Sequence, residues 1–106
     1  MAGAGVVVVT GAARGIGRGI AERMVARGHL VVITDVDATA VALTAGEIGA
    51  AAHVAQDVRD PASHRAVAEV AVGLGPLVAW FNNAGVGYDG DLTALTDDQV
   101  RALVEV

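Results

Sequence analysis

The 106 residues contain no cysteine, which excludes disulfides, thiolate metal ligands and thiol nucleophiles. They contain no lysine either: all seven basic residues are arginine, so no mechanism that needs a lysine ammonium runs on this chain alone. Aromatic residues make up only 3%, against 54% hydrophobic, so any core is built from Val, Ala, Leu and Ile. Basic residues are outnumbered by 12 acidic ones, for a net charge of −5, with no basic cluster and no aromatic–basic interleaving. That balance argues against nucleic acid as a partner. No apolar run reaches the ~18 residues of a membrane span. The opening MAGAG carries no charged leader, and the default expectation is a cytoplasmic protein with no membrane partner. His29, His53 and His64 are scattered without ligand spacing and read as surface or loop residues. The length suits one domain at most.

What the chain does have is concentrated in VVVVTGAARGIG, from Val6 to Gly17. Four consecutive valines read as a strand buried on both faces. Thr10-Gly11 turns the chain, and Gly11, Gly15 and Gly17 are spaced G-x-x-x-G-x-G directly before a helical pattern. A strand that ends in a glycine turn and opens a helix aims backbone N–H groups and the positive end of the helix at one spot. That geometry suits a phosphate or pyrophosphate.

The rest of the sequence repeats the strand-then-helix alternation. Ile16, Ile20, Met24 and Val25 recur at helical spacing, and Gly28 stands where a C-terminal cap glycine belongs, giving a helix from about Gly15 to Arg27. Leu30–Thr34 is a second strand, stopped by Asp35-Val36-Asp37. A helix from Ala38 to about Ile48 follows, with Val41, Leu43 and Ile48 as apolar members. Ala51–Gln56 reads as strand three, ending at Asp57-Val58. Asp60-Pro61 has the form of a helix start, and Val67, Val70, Ala71 and Leu74 form the apolar face of that helix. Leu77–Phe81 is strand four, followed by Asn82-Asn83-Ala84-Gly85 and a loop over Val86–Leu95. Thr96-Asp97-Asp98-Gln99 has the form of a capping box, which opens a last helix from Asp97 to Val106.

The order is β-α-β-α-β-α-β-α with no hairpin signals. It implies a Rossmann-type doubly wound α/β fold: a parallel sheet covered by helices on both faces, truncated after about four strands. Without a further strand, apolar LVAWF would be an unprotected edge, so the isolated chain is expected to be marginal or to associate.

Several nucleotide or phosphate sites share a glycine turn. A Walker-type loop needs Gly-Lys-Ser/Thr, and there is no lysine. A methyl-donor site calls for neither Thr10 before the first glycine nor Asn-Asn-Ala-Gly after strand four. A flavodoxin-like site favours a Ser/Thr-rich first turn, which is absent. Asp35, 18 positions after Gly17 at the end of strand two, favours a dinucleotide instead. A carboxylate there can accept hydrogen bonds from both ribose hydroxyls of an adenosine.

Taken together, the residues resemble the short-chain dehydrogenase/reductase family. Thr10–Gly17 is similar to its T-G-x-x-x-G-I-G turn, Asp57-Val58 to its Asp-Val after strand three, and Asn82–Gly85 to its N-N-A-G segment. The three segments come in the right order and cover almost the whole chain. The resemblance implies a nicotinamide cofactor, NAD more than NADP, and an alcohol or carbonyl substrate. It assigns Gly11, Gly15, Gly17 and Ile16 to the pyrophosphate and Asp35 to the adenosine ribose. Val36 and Val58 would flank the adenine, Asp57 would accept from its amino group, and Asn83, Ala84 and Gly85 would line the ribose side of the cleft. Asn82 would tie strand four to its neighbours. Arg14 stands where NADP-using relatives often carry a basic residue, but Asp35 would repel a 2′-phosphate.

The resemblance also shows what is missing. The family's proton transfer uses Ser, an Asn, and Tyr-x-x-x-Lys; here the one tyrosine, Tyr88, comes three residues after Asn82–Gly85, too early to match, and lysine is absent. The chain thus reads as residues 1–106 of a cofactor-binding domain, the N-terminal part of an oxidoreductase that is inactive without the rest. The alternative is a non-catalytic dinucleotide-binding module. Substrate enters only with the missing part, and full-length relatives are expected to be homo-oligomeric.

Overall fold

The computed structural model describes residues 5–84 and the backbone of residues 93 and 94. Gly85, Tyr88, the capping box and the expected last helix lie outside the described residues. The elements are β1 (Val6–Val9), α1 (Gly15–Ala26), β2 (Leu30–Asp35), α2 (Ala38–Ile48), β3 (Ala52–Ala55), α3 (Pro61–Leu74), β4 (Leu77–Asn82) and β5 (Thr93–Ala94). The sheet order is β3-β2-β1-β4-β5. The chain thus moves outward from β1 in one direction, then crosses back to place β4 on its other side.

β1 pairs in parallel with both β2 and β4, with Val8 opposite Val32 on one side and Trp80 on the other. Alternation along the strand divides its valines between two cores. Val7 and Val9 pack with Val31 and Ile33 under Ala21 of α1 and Val41 and Ala45 of α2. Val6 and Val8 pack with Val32 and Trp80 under Val67, Ala68 and Ala71 of α3. Helices cover both faces, which makes this the doubly wound α/β arrangement that the alternation implied. A strand flanked on both edges and both faces has no exposed position, and all four valines are buried.

The structure corrects several details. β4 extends to Asn82, and Thr93–Ala94, expected in a loop, form a short antiparallel strand opposite Phe81 and Asn82. The edge of β4 is therefore partly covered at its C-terminal end, which a sequence without hairpin signals did not announce. Ile16 is exposed, because it lies in the first turn of α1, beyond the sheet; Ile20, Met24 and Val25 do reach the core. Leu43 also points to solvent. It stands two residues from buried Val41, a rotation of about 200° around a helix, and Thr44 and Ala45 take the inner face instead. On α3, Ala68 is buried where Val70 was expected, leaving Val70 and Leu74 partly exposed. The slim Ala residues let α3 sit close over the broad side chain of Trp80.

Candidate functional site

The C-terminal ends of β1, β2, β3 and β4 surround one open cleft of about 210 Å³. It lies where β2 and β4 diverge on either side of β1, the place where sheets of this order bind ligands. Its lining brings together six of the residues singled out from sequence, namely Gly11, Asp35, Val36, Asp57, Val58 and Ala84. Gln56 and Arg59 complete it, and neither was anticipated.

At one end of the cleft the backbone does the construction. Gly11 has φ +62°, a left-handed conformation that L side chains rarely adopt, and an added Cβ would lie 2.9 Å from the Cα of Ala84. Gly17 has no room for any side chain: a Cβ would run into the Gly11 carbonyl and the Asn83 amide. Asn83 holds that contact in place by donating from Nδ2 to the Gly11 carbonyl at 3.0 Å. Asn82, expected to tie strand four to its neighbours, pairs across the sheet with Thr93 and also accepts from Trp80 Nε1 within its own strand at 3.1 Å. The Ala84 N–H donates to Thr10 Oγ1 at 3.1 Å, which fastens the end of β4 to the turn after β1.

The turn itself is fixed at Ala13. Its N–H donates to Asp35 Oδ2 at 3.1 Å, and its carbonyl accepts from the buried Thr44 hydroxyl at 2.6 Å. Asp35 therefore shapes the turn as well as lining the cleft. Its other oxygen accepts from the Asp37 N–H at 3.2 Å. An ionised carboxylate has about four acceptor sites, so each oxygen keeps capacity for a hydroxyl donor.

The three helix starts differ in a way that bears on ligand binding. Asp37 caps α2 by accepting from the Ala40 N–H, and Asp60 caps α3 by accepting from the Ala62 N–H. Arg14 at the start of α1 makes no such bond, and the first turn of α1 holds no acidic residue. The N–H groups of a helix's first turn lack partners within the helix. Those of α1 are left for something other than a side-chain cap, and open space surrounds the Cβ position of Gly15 beside them. Gly15, Ile16 and Gly17 thus sit at this end without lining the cleft proper. Arg14 reaches sideways to Asp37 at 3.2 Å, with both side chains largely exposed. The Ala40 N–H first, and then Arg14, hold the Asp37 carboxyl below its ordinary value.

At the opposite end, side chains do the construction. Arg59 grips Asp57 with Nε on Oδ1 at 3.0 Å and Nη2 on Oδ2 at 2.8 Å, and its N–H adds a third bond to Oδ1. The side-chain bonds from Arg59, followed by that N–H, lower the Asp57 carboxyl to about 2. Beneath this pair lies Gln56, only 4% exposed. Its Oε1 accepts from the Thr34 hydroxyl at 2.7 Å. Its amide nitrogen reaches Ser63 Oγ at 3.1 Å and His64 Nδ1 at 3.3 Å. His64, expected on the surface or in a loop, is a half-buried residue of α3 with its ring 6.4 Å from that of Trp80. Among the described residues, no cluster of His, Cys, Asp and Glu is arranged to hold a metal ion, and no helix is long and apolar enough to cross a membrane.

This geometry has known counterparts. Residues 5–106 match the family model described as short chain dehydrogenase. The chain belongs to that family. A 3-oxoacyl-(acyl-carrier-protein) reductase from Salmonella typhimurium is 36% identical over 102 residues, covering 94% of this chain and 42% of the relative. A sorbitol dehydrogenase from Cereibacter sphaeroides is 46% identical over 81 residues, covering 74% of this chain and 32% of its own length. The chain thus spans less than half the length of these short-chain dehydrogenase relatives. Among solved structures, a short-chain dehydrogenase/reductase from Burkholderia phymatum in complex with NAD superposes with a TM-score of 0.62. It is 36% identical and matches over 66% of this chain and 26% of that one. A 3-ketoacyl-(acyl-carrier-protein) reductase from Brucella melitensis complexed with NADH gives a TM-score of 0.61 at 41% identity, over 65% of this chain and 29% of that one.

Proposed function

We propose that residues 1–106 are the cofactor-binding portion of a nicotinamide-dependent oxidoreductase, and that the cleft holds the adenosine diphosphate end of the dinucleotide. The observation that carries this reading is the cleft that joins Gly11 of the glycine turn to Asp35, Asp57 and Val58, with the uncapped start of α1 beside that turn. An anion suits the first end, and a ribose and a flat ring suit the second. The complexes with NAD and NADH formed by two relatives of the same fold support it.

In this reading the N–H groups of Gly15, Ile16 and Gly17 face the pyrophosphate, and Gly11 lets the backbone come close to it. Asp35 accepts from the adenosine ribose hydroxyls with the acceptor capacity that Ala13 and Asp37 leave. Val36 and Val58 enclose the adenine, and Asp57 accepts from its amino group. Ala84, with Asn83 and Gly85, borders the ribose on the far side. When bound, the nicotinamide supplies the hydride donor or acceptor; the residues named here only bind and orient it.

The carboxylates favour NAD over NADP. A 2′-phosphate on the adenosine would meet Asp35, and two arginines that could compensate are engaged, Arg14 by Asp37 and Arg59 by Asp57. We expect NAD to bind at least about tenfold tighter than NADP. Titration with both cofactors tests this, and equal or reversed affinities would overturn the assignment.

Proton transfer at the substrate is assigned to residues beyond Val106. Chain-dependent turnover is therefore expected to be absent from the 106 residues in a preparation free of other reductases. Alcohols and carbonyl compounds are the substrate class the family relation supports, in a soluble cytoplasmic enzyme whose full length is homo-oligomeric. A reading frame that continues past Val106 into Asn, Ser and Tyr-x-x-x-Lys would establish the enzymatic reading. Its absence would favour a binding module.

A further inference from the structure

The Gln56 side chain sits at the centre of a fully paired polar relay that runs from the sheet to the segment after β3. The Thr34 hydroxyl donates to Oε1. The two amide hydrogens have one acceptor each, Ser63 Oγ and His64 Nδ1. His64 Nε2 lies 2.9 Å from the Val58 carbonyl. A carbonyl only accepts, so Nε2 carries the hydrogen and Nδ1 is the lone pair that Gln56 meets. Ser63 Oγ in turn lies 2.9 Å from the Asp57 carbonyl and 2.7 Å from that of Asp60. The one hydroxyl hydrogen of Ser63 is shared between those two carbonyls, so one buried amide orients backbone anchors at Asp57, Val58 and Asp60.

These anchors have no other evident reason to be so heavily specified. The segment is short, exposed at Arg59 and Asp60, and joins β3 to a helix that Asp60 already caps. What it does is present Asp57, Val58 and Arg59 to the cleft. We infer that Gln56, Ser63 and His64 are positioning residues that hold this wall in the conformation that receives the adenine. The inference rests on the dinucleotide reading and adds to it residues on α3 that do not touch the ligand. A network whose buried centre has every group paired favours one arrangement. Breaking one link leaves buried polar groups without partners and frees the wall to move.

The test compares two probes that address opposite ends of the cleft, adenosine 5′-monophosphate and inorganic pyrophosphate, by amide NMR titration of the 106-residue chain. Gln56→Leu removes the centre of the relay. His64→Phe keeps a ring facing Trp80 but removes the tie to Val58, and it serves if the first variant does not fold. Each variant is expected to bind the nucleotide about tenfold more weakly, as the loss of one to two buried hydrogen bonds implies. Pyrophosphate affinity and the Gly15 and Gly17 resonances should stay as in the parent chain. His64→Gln, which can again donate to the Val58 carbonyl, should recover most of the nucleotide affinity. Variants that bind the nucleotide as tightly as the parent, or that lose both probes equally, would overturn the inference. A parent chain that binds neither probe would remove the dinucleotide reading and the inference with it.

Discussion

The two ends of the cleft are built from different materials. At the glycine turn, the surface offered to a ligand is main chain: positive φ at Gly11, an unfilled Cβ position at Gly15, and N–H groups at the start of α1 that the Arg14 side chain does not cap. At the segment after β3, it is side chain, namely Asp57 gripped by Arg59 over a wall fixed by Gln56, Ser63 and His64. The first end has no room for added atoms at Gly11 and Gly17. The second depends on its polar groups having their partners. Rigidity comes from steric exclusion in one case and from hydrogen-bond completeness in the other.

The largest expected effect comes from breaking the steric end. In Gly17→Ala the new methyl meets the Gly11 carbonyl, which cannot withdraw without moving the turn after β1, and it displaces the Asn83 amide from that carbonyl. Overpacking of this kind costs about 1–3 kcal/mol, and dinucleotide binding should be lost along with the turn. A melt and an NAD titration measure both. Unchanged binding would mean that the turn is softer than described here.

Thr44→Val tests whether the steric end also needs polar support. It keeps the volume but removes the donor to the Ala13 carbonyl, at a buried site. A loss of about 1–3 kcal/mol in stability is expected from denaturant unfolding, because the carbonyl is left without a partner.

Asp37→Asn is milder. Asparagine still caps α2 through its side-chain oxygen, but Arg14 loses its charged partner. Exposed pairs of this kind contribute little, so the preference for NAD over NADP should narrow by only about two- to fivefold. Paired titrations of the two cofactors would show it.

Arg59→Gln acts on the protonation of Asp57. The Asp57 carboxyl, held at about 2 against an ordinary 3.8, should rise toward the ordinary value, as followed by NMR titration. The sign follows from the lowered value. The contribution of this pair to stability is complete above pH 3.8 and is lost as the pH falls through about 2, so the variant should differ from the parent near neutrality and converge with it in strong acid.

How much was legible in the sequence follows the same division. Glycine at a position of positive φ, or at a point of backbone contact, is a constraint that only one residue type satisfies, so Gly11 and Gly17 announce themselves. Four valines in a row announce a central strand in the same way, and Asp60-Pro61 announces a helix start. The glycine end of the cleft and the order of the elements through β4 could therefore be read residue by residue. At the other end Asp57 and Val58 could be read, but the network behind them could not: Gln56 pairs with Thr34 across 22 positions, and even at the glycine turn the tie from Thr44 to Ala13 spans 31. A lone Gln, Thr or His has many environments open to it, and its partners are set by strand register and helix rotation rather than by spacing. His64 looked like a surface residue for that reason. The one available signal was Gln56 at the inner end of an alternating strand, where a polar residue needs a partner. Leu43 shows the opposite failure, since it was grouped with Val41 and Ile48 as an apolar member of its helix although it points to solvent.

The most direct test of the account is an amide NMR titration of the 106-residue chain with NAD. Saturable binding of one equivalent is expected, with shifts at Gly11 and Gly15–Gly17 and, over the same concentration range, at Asp35, Asp57 and Val58. Shifts confined to one end, shifts at surfaces remote from the cleft, or no saturation at all would contradict the claim that the two ends form a single dinucleotide site.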